Sequence, residues 1–239
     1  MDLNIKRPTH IFALLAVLLT MVLLIIIPLL YYIETSTQQQ YQKIEINDQI
    51  LLASSIITVL ILTGTPLVWY IFVNKASLKE IITYHLGFRK EKIDKAILWG
   101  ITSAVSMLII VIIISNILST FFDVNPDDLQ NVKDLAKNVS LSTLLFIILI
   151  QSISEEIFFR GFLLEKIKGL SGEKTAILTT AILFGIAHLS YGKIYLALMP
   201  AIMGVILGFT VVKTKNLFST VTAHILFNLT SLILFIYTR

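Results

Sequence analysis

Six polar side chains interrupt long apolar runs in the second half of this sequence. They are two glutamates, an arginine, two histidines and an asparagine: Glu155, Glu156, Arg160, His188, His224 and Asn228. A glutamate can take a proton from water and return it to a leaving amine, while histidine and asparagine can donate hydrogen bonds to an oxyanion. Together these residue types supply the groups that peptide-bond hydrolysis requires.

The spacing of these residues places them in pairs on helix faces. Residues four positions apart share one face of an α-helix, so Glu156 can neutralise Arg160, and His224 and Asn228 can act side by side. The adjacent Glu155 and Glu156 point about 100° apart. One glutamate can therefore pair with Arg160 while the other faces a cavity.

Depth along the predicted helices gives a second observation. An ionisable group at the centre of a membrane helix costs roughly 3 kcal/mol or more, so such groups need partners. At 1.5 Å per residue, Glu155 and Asn228 lie about 18 Å, and His188 about 20 Å, from the cytoplasmic ends of their helices. Phe184, one turn before His188, can pack beneath the imidazole ring. Three helices therefore bring their polar groups to one level.

The composition requires a membrane protein around these groups. The chain has 239 residues, of which 56% are hydrophobic and 14% are charged, and no cysteine. Its mean hydropathy is +0.86. A membrane-crossing helix needs about 20 apolar residues, and charge-free runs of that kind predict an all-α membrane helical bundle with seven transmembrane helices. These occupy residues 8–33, 49–74, 96–122, 139 onward to Glu155 and beyond, 175–192, 194–212 and 216–238.

Lysine and arginine are distributed unevenly between alternate loops. Because basic residues accumulate on the cytoplasmic side, the amino terminus is predicted to be cytoplasmic and the carboxyl terminus external. This bias accounts for the net charge of +4, so no nucleic-acid partner is expected. The cytoplasmic side holds thirteen of the nineteen basic residues: Lys6, Arg7, Lys75, Lys79, Arg89, Lys90, Lys92, Lys95, Lys166, Lys168, Lys174, Lys213 and Lys215.

Two further patterns concern the surface and the packing. Segment 76–88 mixes leucines and isoleucines with Lys79 and Glu80, which predicts a short helix on the cytoplasmic surface or a loop there. Segment 123–137 is polar and predicts an external loop. Gly204 and Gly208, four residues apart, predict close packing of the sixth span against a neighbour.

The three polar motifs resemble, in order, those of the CPBP family of CAAX proteases and Abi bacteriocin-processing or bacteriocin-immunity proteins. They are Glu155-Glu156-x-x-x-Arg160, Phe184-x-x-x-His188 and His224-x-x-x-Asn228. The resemblance covers residues 139–239 as a four-helix catalytic core, and leaves 1–138 as a three-span membrane region. It implies a multi-pass intramembrane endopeptidase, with a bacterial plasma membrane as the expected location.

The resemblance also implies a role for each motif residue. Glu155 would be the general base, His188 would help it activate water, and His224 and Asn228 would stabilise the oxyanion. Glu156 and Arg160 would support the site structurally. The expected substrates are membrane-associated or CAAX-like proteins and peptides, which would enter a bundle cavity open to the cytoplasmic side. The lipid bilayer is the other expected partner.

Two alternatives stay open from the residues themselves. Glu155, His188 and His224 could form a zinc site with one open position, leaving Glu156 as the base. Asn228 is a poor zinc ligand and a good amide donor, which favours the metal-free scheme and no cofactor. The same polar groups could also hold three helices in register in a non-catalytic immunity or partner-binding protein.

Other intramembrane protease classes do not fit this sequence. All seven aspartates lie in predicted loops or termini, which argues against an aspartyl dyad. The chain has no G-x-S-x-G, no lysine inside a predicted span and no H-E-x-x-H. A transporter is disfavoured because only one half of the chain carries buried charge, without inverted repeats.

Overall fold

The computed structural model describes residues 3–37, 47–121, 138–189 and 194–237. Within these ranges the chain is helical and contains no strand. The all-α membrane architecture predicted from the sequence is therefore confirmed. The predicted external loop at 123–137 lies outside the described residues.

Eight helices, α1 to α8, follow one another in the described part of the chain. Helices α1, α3 and α5 each contain a wider π-helical segment. These segments are Val22–Ile26 in α1, Ile81–His85 in α3 and Ile157–Leu163 in α5. Their bounds are α1 Pro8–Met21, Val22–Ile26 and Ile27–Thr37; α2 Asp48–Phe72; α3 Leu78–Glu80 and Ile81–His85; α4 Ile93–Phe121; α5 Leu141–Glu156, Ile157–Leu163 and Leu164–Ser171; α6 Glu173–Ala187; α7 Ile194–Thr214; α8 Leu217–Tyr237.

Six helices in the described ranges are long and apolar enough to cross a membrane: α1, α2, α4, α5, α7 and α8. The fifth predicted span, 175–192, coincides with α6, which has only 15 residues. At 1.5 Å per residue α6 is about 22 Å long, which is shorter than the ~30 Å hydrocarbon core. Helix α5, in contrast, continues past its glutamates to Ser171, as the sequence predicted.

The surface segment predicted at 76–88 contains the short helix α3. A capping box starts it, in which the Ser77 hydroxyl accepts from the Glu80 amide while the Glu80 carboxylate accepts from the Ser77 amide. Hydrogen bonds from the Ser77 amide and hydroxyl also lower the pKa of Glu80. Leu78, Ile82 and Tyr84 are exposed along α3, which suits a helix that meets apolar surroundings.

The largest apolar core surrounds the π-helical segment of α5. Phe158, Phe159 and Phe162 are fully buried there. Trp69 and Tyr70 of α2 both contact the Phe162 ring edge-on, with ring centroids 5.9 and 5.7 Å apart. The same core includes residues of α1, α6 and α8, so the helices of the amino-terminal region fix the position of α5.

Small residues let α6 and α7 pack closely. A Cβ on Gly204 would lie 2.8 Å from the Ala181 Cα, and one on Gly208 would lie 3.1 Å from Cγ2 of Ile177. Gly185 of α6 faces Ala201 of α7 in the same way, at 2.7 Å. The packing role predicted for Gly204 and Gly208 is confirmed. This close contact between α6 and α7, the α6–α7 seam, fixes the position of α6, which ends just before His188.

Gly204→Ala is expected to lower the free energy of unfolding by about 1–3 kcal/mol, because the added methyl overpacks the seam. Gly64→Ala is the matched control, since a Cβ at Gly64 meets nothing within 4 Å. Thermal unfolding of both variants in detergent measures the difference. Equal midpoints for the two variants would contradict the close packing of α6 on α7.

Candidate active site

Helix α5 presents two adjacent glutamates to different surroundings. Glu156 is completely buried, whereas the Glu155 side chain is 18% exposed. The π-helical segment begins at the next residue, Ile157. Such wide turns are frequent at functional sites because they re-aim neighbouring side chains. The predicted division between one paired and one accessible glutamate is present.

Glu156 is the centre of a buried charged network. Its Oε1 accepts a hydrogen bond from Nη1 of Arg160 at 2.8 Å and lies 2.9 Å from Nδ1 of His224. The Arg160 guanidinium stands 4.4 Å from the centroid of the Phe184 ring. A desolvated cation–π contact of this kind contributes about 2 kcal/mol. The ion pair therefore connects α5 to α6 and α8.

His224 lies between the two glutamates. Its Nδ1 faces Glu156, and its Nε2 is 3.7 Å from Oε2 of Glu155. A carboxylate accepts only, so Nδ1 carries the proton that it donates to Glu156. When Nε2 is protonated as well, the imidazolium and Arg160 balance the two carboxylates, and Nε2 becomes a donor directed toward the accessible glutamate.

His188 reaches the same cluster from the end of α6. Its Nδ1 lies 2.7 Å from the Phe184 carbonyl oxygen, which can only accept, so Nδ1 is the protonated nitrogen. The Phe184 ring contacts both imidazoles, with centroid distances of 4.6 Å to His188 and 5.9 Å to His224. Nε2 of a neutral His188 is then a proton acceptor. The expected packing of Phe184 against His188 is confirmed.

Asn228 contacts a residue that the sequence analysis did not single out. Its Nδ2 donates to Oγ of Ser152 at 3.1 Å, and Ser152 is buried on α5 one turn before Glu155. Nδ2 carries two hydrogens, so the second remains available for another acceptor. The sequence contained one indication that Ser152 belongs to the site. Ser152 lies three residues before Glu155 and therefore on the same helix face.

The three side chains considered as zinc ligands do not form a metal-binding cluster in this structure. Among the described residues, no three His, Cys, Asp or Glu side chains are grouped so that they could hold a metal ion. Nδ1 of His188 and Nδ1 of His224 are both engaged by other oxygen atoms, so each imidazole could offer only Nε2 to a metal ion.

A comparison with protein-family models found a match in the carboxyl-terminal part of the chain. Residues 137–230 match the family model described as type II CAAX prenyl endopeptidase Rce1-like. All six polar residues fall within this range, and the resemblance to CAAX proteases is confirmed. The match implies a protease embedded in a membrane. Comparison with curated proteins and with solved structures gave no match.

Arg160→Met is expected to lower the free energy of unfolding by about 3–5 kcal/mol, because it leaves the buried Glu156 carboxylate without its guanidinium partner. Lys168→Met is the control, since the Lys168–Glu165 pair is exposed at 3.4 Å and such pairs contribute less than about 1 kcal/mol. Unfolding of both variants in detergent gives the comparison. Adding Glu156→Gln to Arg160→Met should restore part of the loss, and similar stability of the two single variants would contradict the network.

Proposed function

We propose that this chain, in which residues 137–230 match the Rce1-like type II CAAX prenyl endopeptidase model, cleaves peptide bonds of membrane-associated or CAAX-like proteins by glutamate-activated water. One observation carries the mechanism. Of the two adjacent glutamates, Glu156 is neutralised by Arg160, and Glu155 is left accessible beside His224.

Water activation is assigned to Glu155 and His188. Glu155 is the partly exposed carboxylate of the cluster. His188 presents Nε2 as an acceptor because its Nδ1 donates to the Phe184 carbonyl. A water molecule between these groups can lose a proton to Glu155 as its oxygen attacks the substrate carbonyl.

Oxyanion stabilisation is assigned to His224 and Asn228. Glu156 holds the His224 ring through Nδ1, so a protonated Nε2 can donate to the negative oxygen that forms on the substrate. Ser152 holds one hydrogen of the Asn228 amide, and the other can donate to the same oxygen. Both donors are fixed before the substrate binds, and fixed donors are the most effective in an apolar site.

Collapse of the tetrahedral intermediate requires a proton on the leaving nitrogen. Protonated Glu155 can return the proton that it took from water, which regenerates the carboxylate for the next cycle. Every step in this scheme uses side chains of α5, α6 and α8. We assign the protein to a multi-pass location in a bacterial plasma membrane, on the family resemblance.

Glu155→Gln is expected to reduce cleavage by about 10²–10⁴-fold, because glutamine cannot accept the proton from water. The assay uses quenched fluorescent peptides with and without a prenylated carboxyl-terminal cysteine, presented to protein in detergent. Glu165→Gln, an exposed glutamate on the same helix, should retain wild-type activity. Undiminished cleavage by Glu155→Gln would reject the assignment.

The same preparation separates the remaining alternatives. If elemental analysis by mass spectrometry finds stoichiometric zinc and 1,10-phenanthroline abolishes activity, a zinc-dependent mechanism replaces the metal-free scheme. Absence of cleavage by folded wild-type protein, combined with capture of a bacteriocin, would instead support the immunity role.

Asn228→Ala is expected to lower kcat by about 10²–10³-fold, the usual effect of losing one oxyanion donor. Ser152→Ala should produce a smaller loss, because the Asn228 amide remains but is no longer held. Ser152→Thr keeps the hydroxyl and should recover activity. Equal kcat values for Asn228→Ala and wild type would remove Asn228 from the oxyanion site.

A further inference from the structure

A cavity lies outside the candidate active site. It is an open cavity of about 920 Å³, lined by residues of α2, α3, α5, α8 and the segment between α3 and α4. Ligand pockets usually have volumes of about 300–1,000 Å³, so this cavity is large enough for a ligand. Its lining includes Ile157 of α5 but none of Glu155, His188, His224 and Asn228.

The interior of this cavity is apolar. Leucine, isoleucine and phenylalanine are seven of its fourteen lining residues. The two threonines in the wall, Thr63 and Thr83, already donate their hydroxyl protons to the carbonyl oxygens of Val59 and Lys79. The wall therefore offers few unsatisfied polar groups, and an apolar occupant is favoured there.

Basic side chains also line the cavity. Lys79, Arg89 and Lys90 are exposed lining residues, accompanied by the single acid Glu91. The ion pairs found in the described part of the chain involve other side chains, namely Glu156–Arg160, Glu165–Lys168 and His224 with Glu155 and Glu156. The three cations outnumber the single acid, so the lining of the apolar cavity carries a net positive charge.

The backbone that carries two of these cations is anchored. The Gly87 carbonyl accepts from the Leu217 amide at 2.9 Å, and the Arg89 carbonyl accepts from the Asn216 side chain at 2.8 Å. The Phe88 ring meets Phe218 with centroids 5.1 Å apart. Because α8 holds this segment in place, binding here does not first require the segment to become ordered.

We propose that this cavity binds one anionic phospholipid from the leaflet that it faces. One acyl chain lies between Leu67, Phe88 and Phe218, and the phosphate lies against Lys79, Arg89 and Lys90. The exposed apolar side chains of α3 meet the same leaflet. An isoprenoid chain alone would fit the walls but would leave the three cations without an anion.

Lipid counting by native mass spectrometry tests this assignment. Protein in an uncharged detergent is titrated with dioleoylphosphatidylglycerol or dioleoylphosphatidylcholine. One phosphatidylglycerol should bind more tightly than phosphatidylcholine. Equal affinity for the two lipids in the wild-type protein would by itself overturn the proposal.

A charge-neutral triple variant tests the phosphate contacts. Lys79→Gln, Arg89→Gln and Lys90→Gln combined should weaken phosphatidylglycerol binding by roughly fivefold per removed charge and leave phosphatidylcholine binding unchanged. Lys168→Gln, Lys174→Gln and Lys213→Gln combined remove the same charge from other basic positions. An equal loss in this control would show diffuse attraction to the protein surface and reject the site.

A filling variant tests the acyl-chain position. Leu67→Trp occupies the cavity without changing charge and should reduce phosphatidylglycerol binding, whereas Leu60→Trp, exposed on the same helix, should not. Displacement of the lipid by glycerol phosphate would show an anion site without chain recognition. Preferential binding of farnesol over phosphatidylglycerol would assign the cavity to an isoprenoid instead, and either result would overturn the proposal.

Discussion

The fold depends on keeping the Glu156–Arg160 ion pair inside an apolar bundle. Both side chains are essentially inaccessible, and burying two charges costs several kcal/mol for each ion unless the geometry compensates. Here the carboxylate also contacts His224, and the guanidinium lies over the Phe184 ring. The pair is thus stabilised only when α5, α6 and α8 are assembled. A charged group that would oppose membrane burial therefore helps to determine how these three helices are arranged.

The same arrangement gives the two adjacent glutamates different chemistry. Arg160 and His224 both contact the Glu156 carboxylate, so this carboxylate stabilises the arrangement of the helices. Glu155, two residues before the wide helical segment, stays partly exposed while its Oε2 lies 3.7 Å from Nε2 of His224. Because one histidine contacts both carboxylates, a change at Glu156 or Arg160 would alter the orientation of the ring that faces Glu155. Stability and the proposed catalysis consequently share one network.

The amino-terminal helices act on this network through packing. The rings of Trp69 and Tyr70 contact the Phe162 ring edge-on. Ser55 of α2 also accepts a hydrogen bond from Gln151 on α5 at 3.2 Å. These contacts locate α5 on both sides of its glutamates. Helix α2 also lines the cavity of the proposed lipid site. The region without catalytic motifs therefore contributes both to holding the candidate active site and to lipid binding.

The sequence by itself determined the helical membrane class, the set of polar residues and their pairing on helix faces, because helix periodicity and the cost of burying charge act locally. Only the tertiary structure decided that His224 joins the Glu156–Arg160 pair and that Ser152 holds Asn228. These outcomes depend on where α6 and α8 meet α5. That relation is fixed by packing between residues far apart in the chain, such as Phe184 against Arg160 and His224, and no local pattern encodes it.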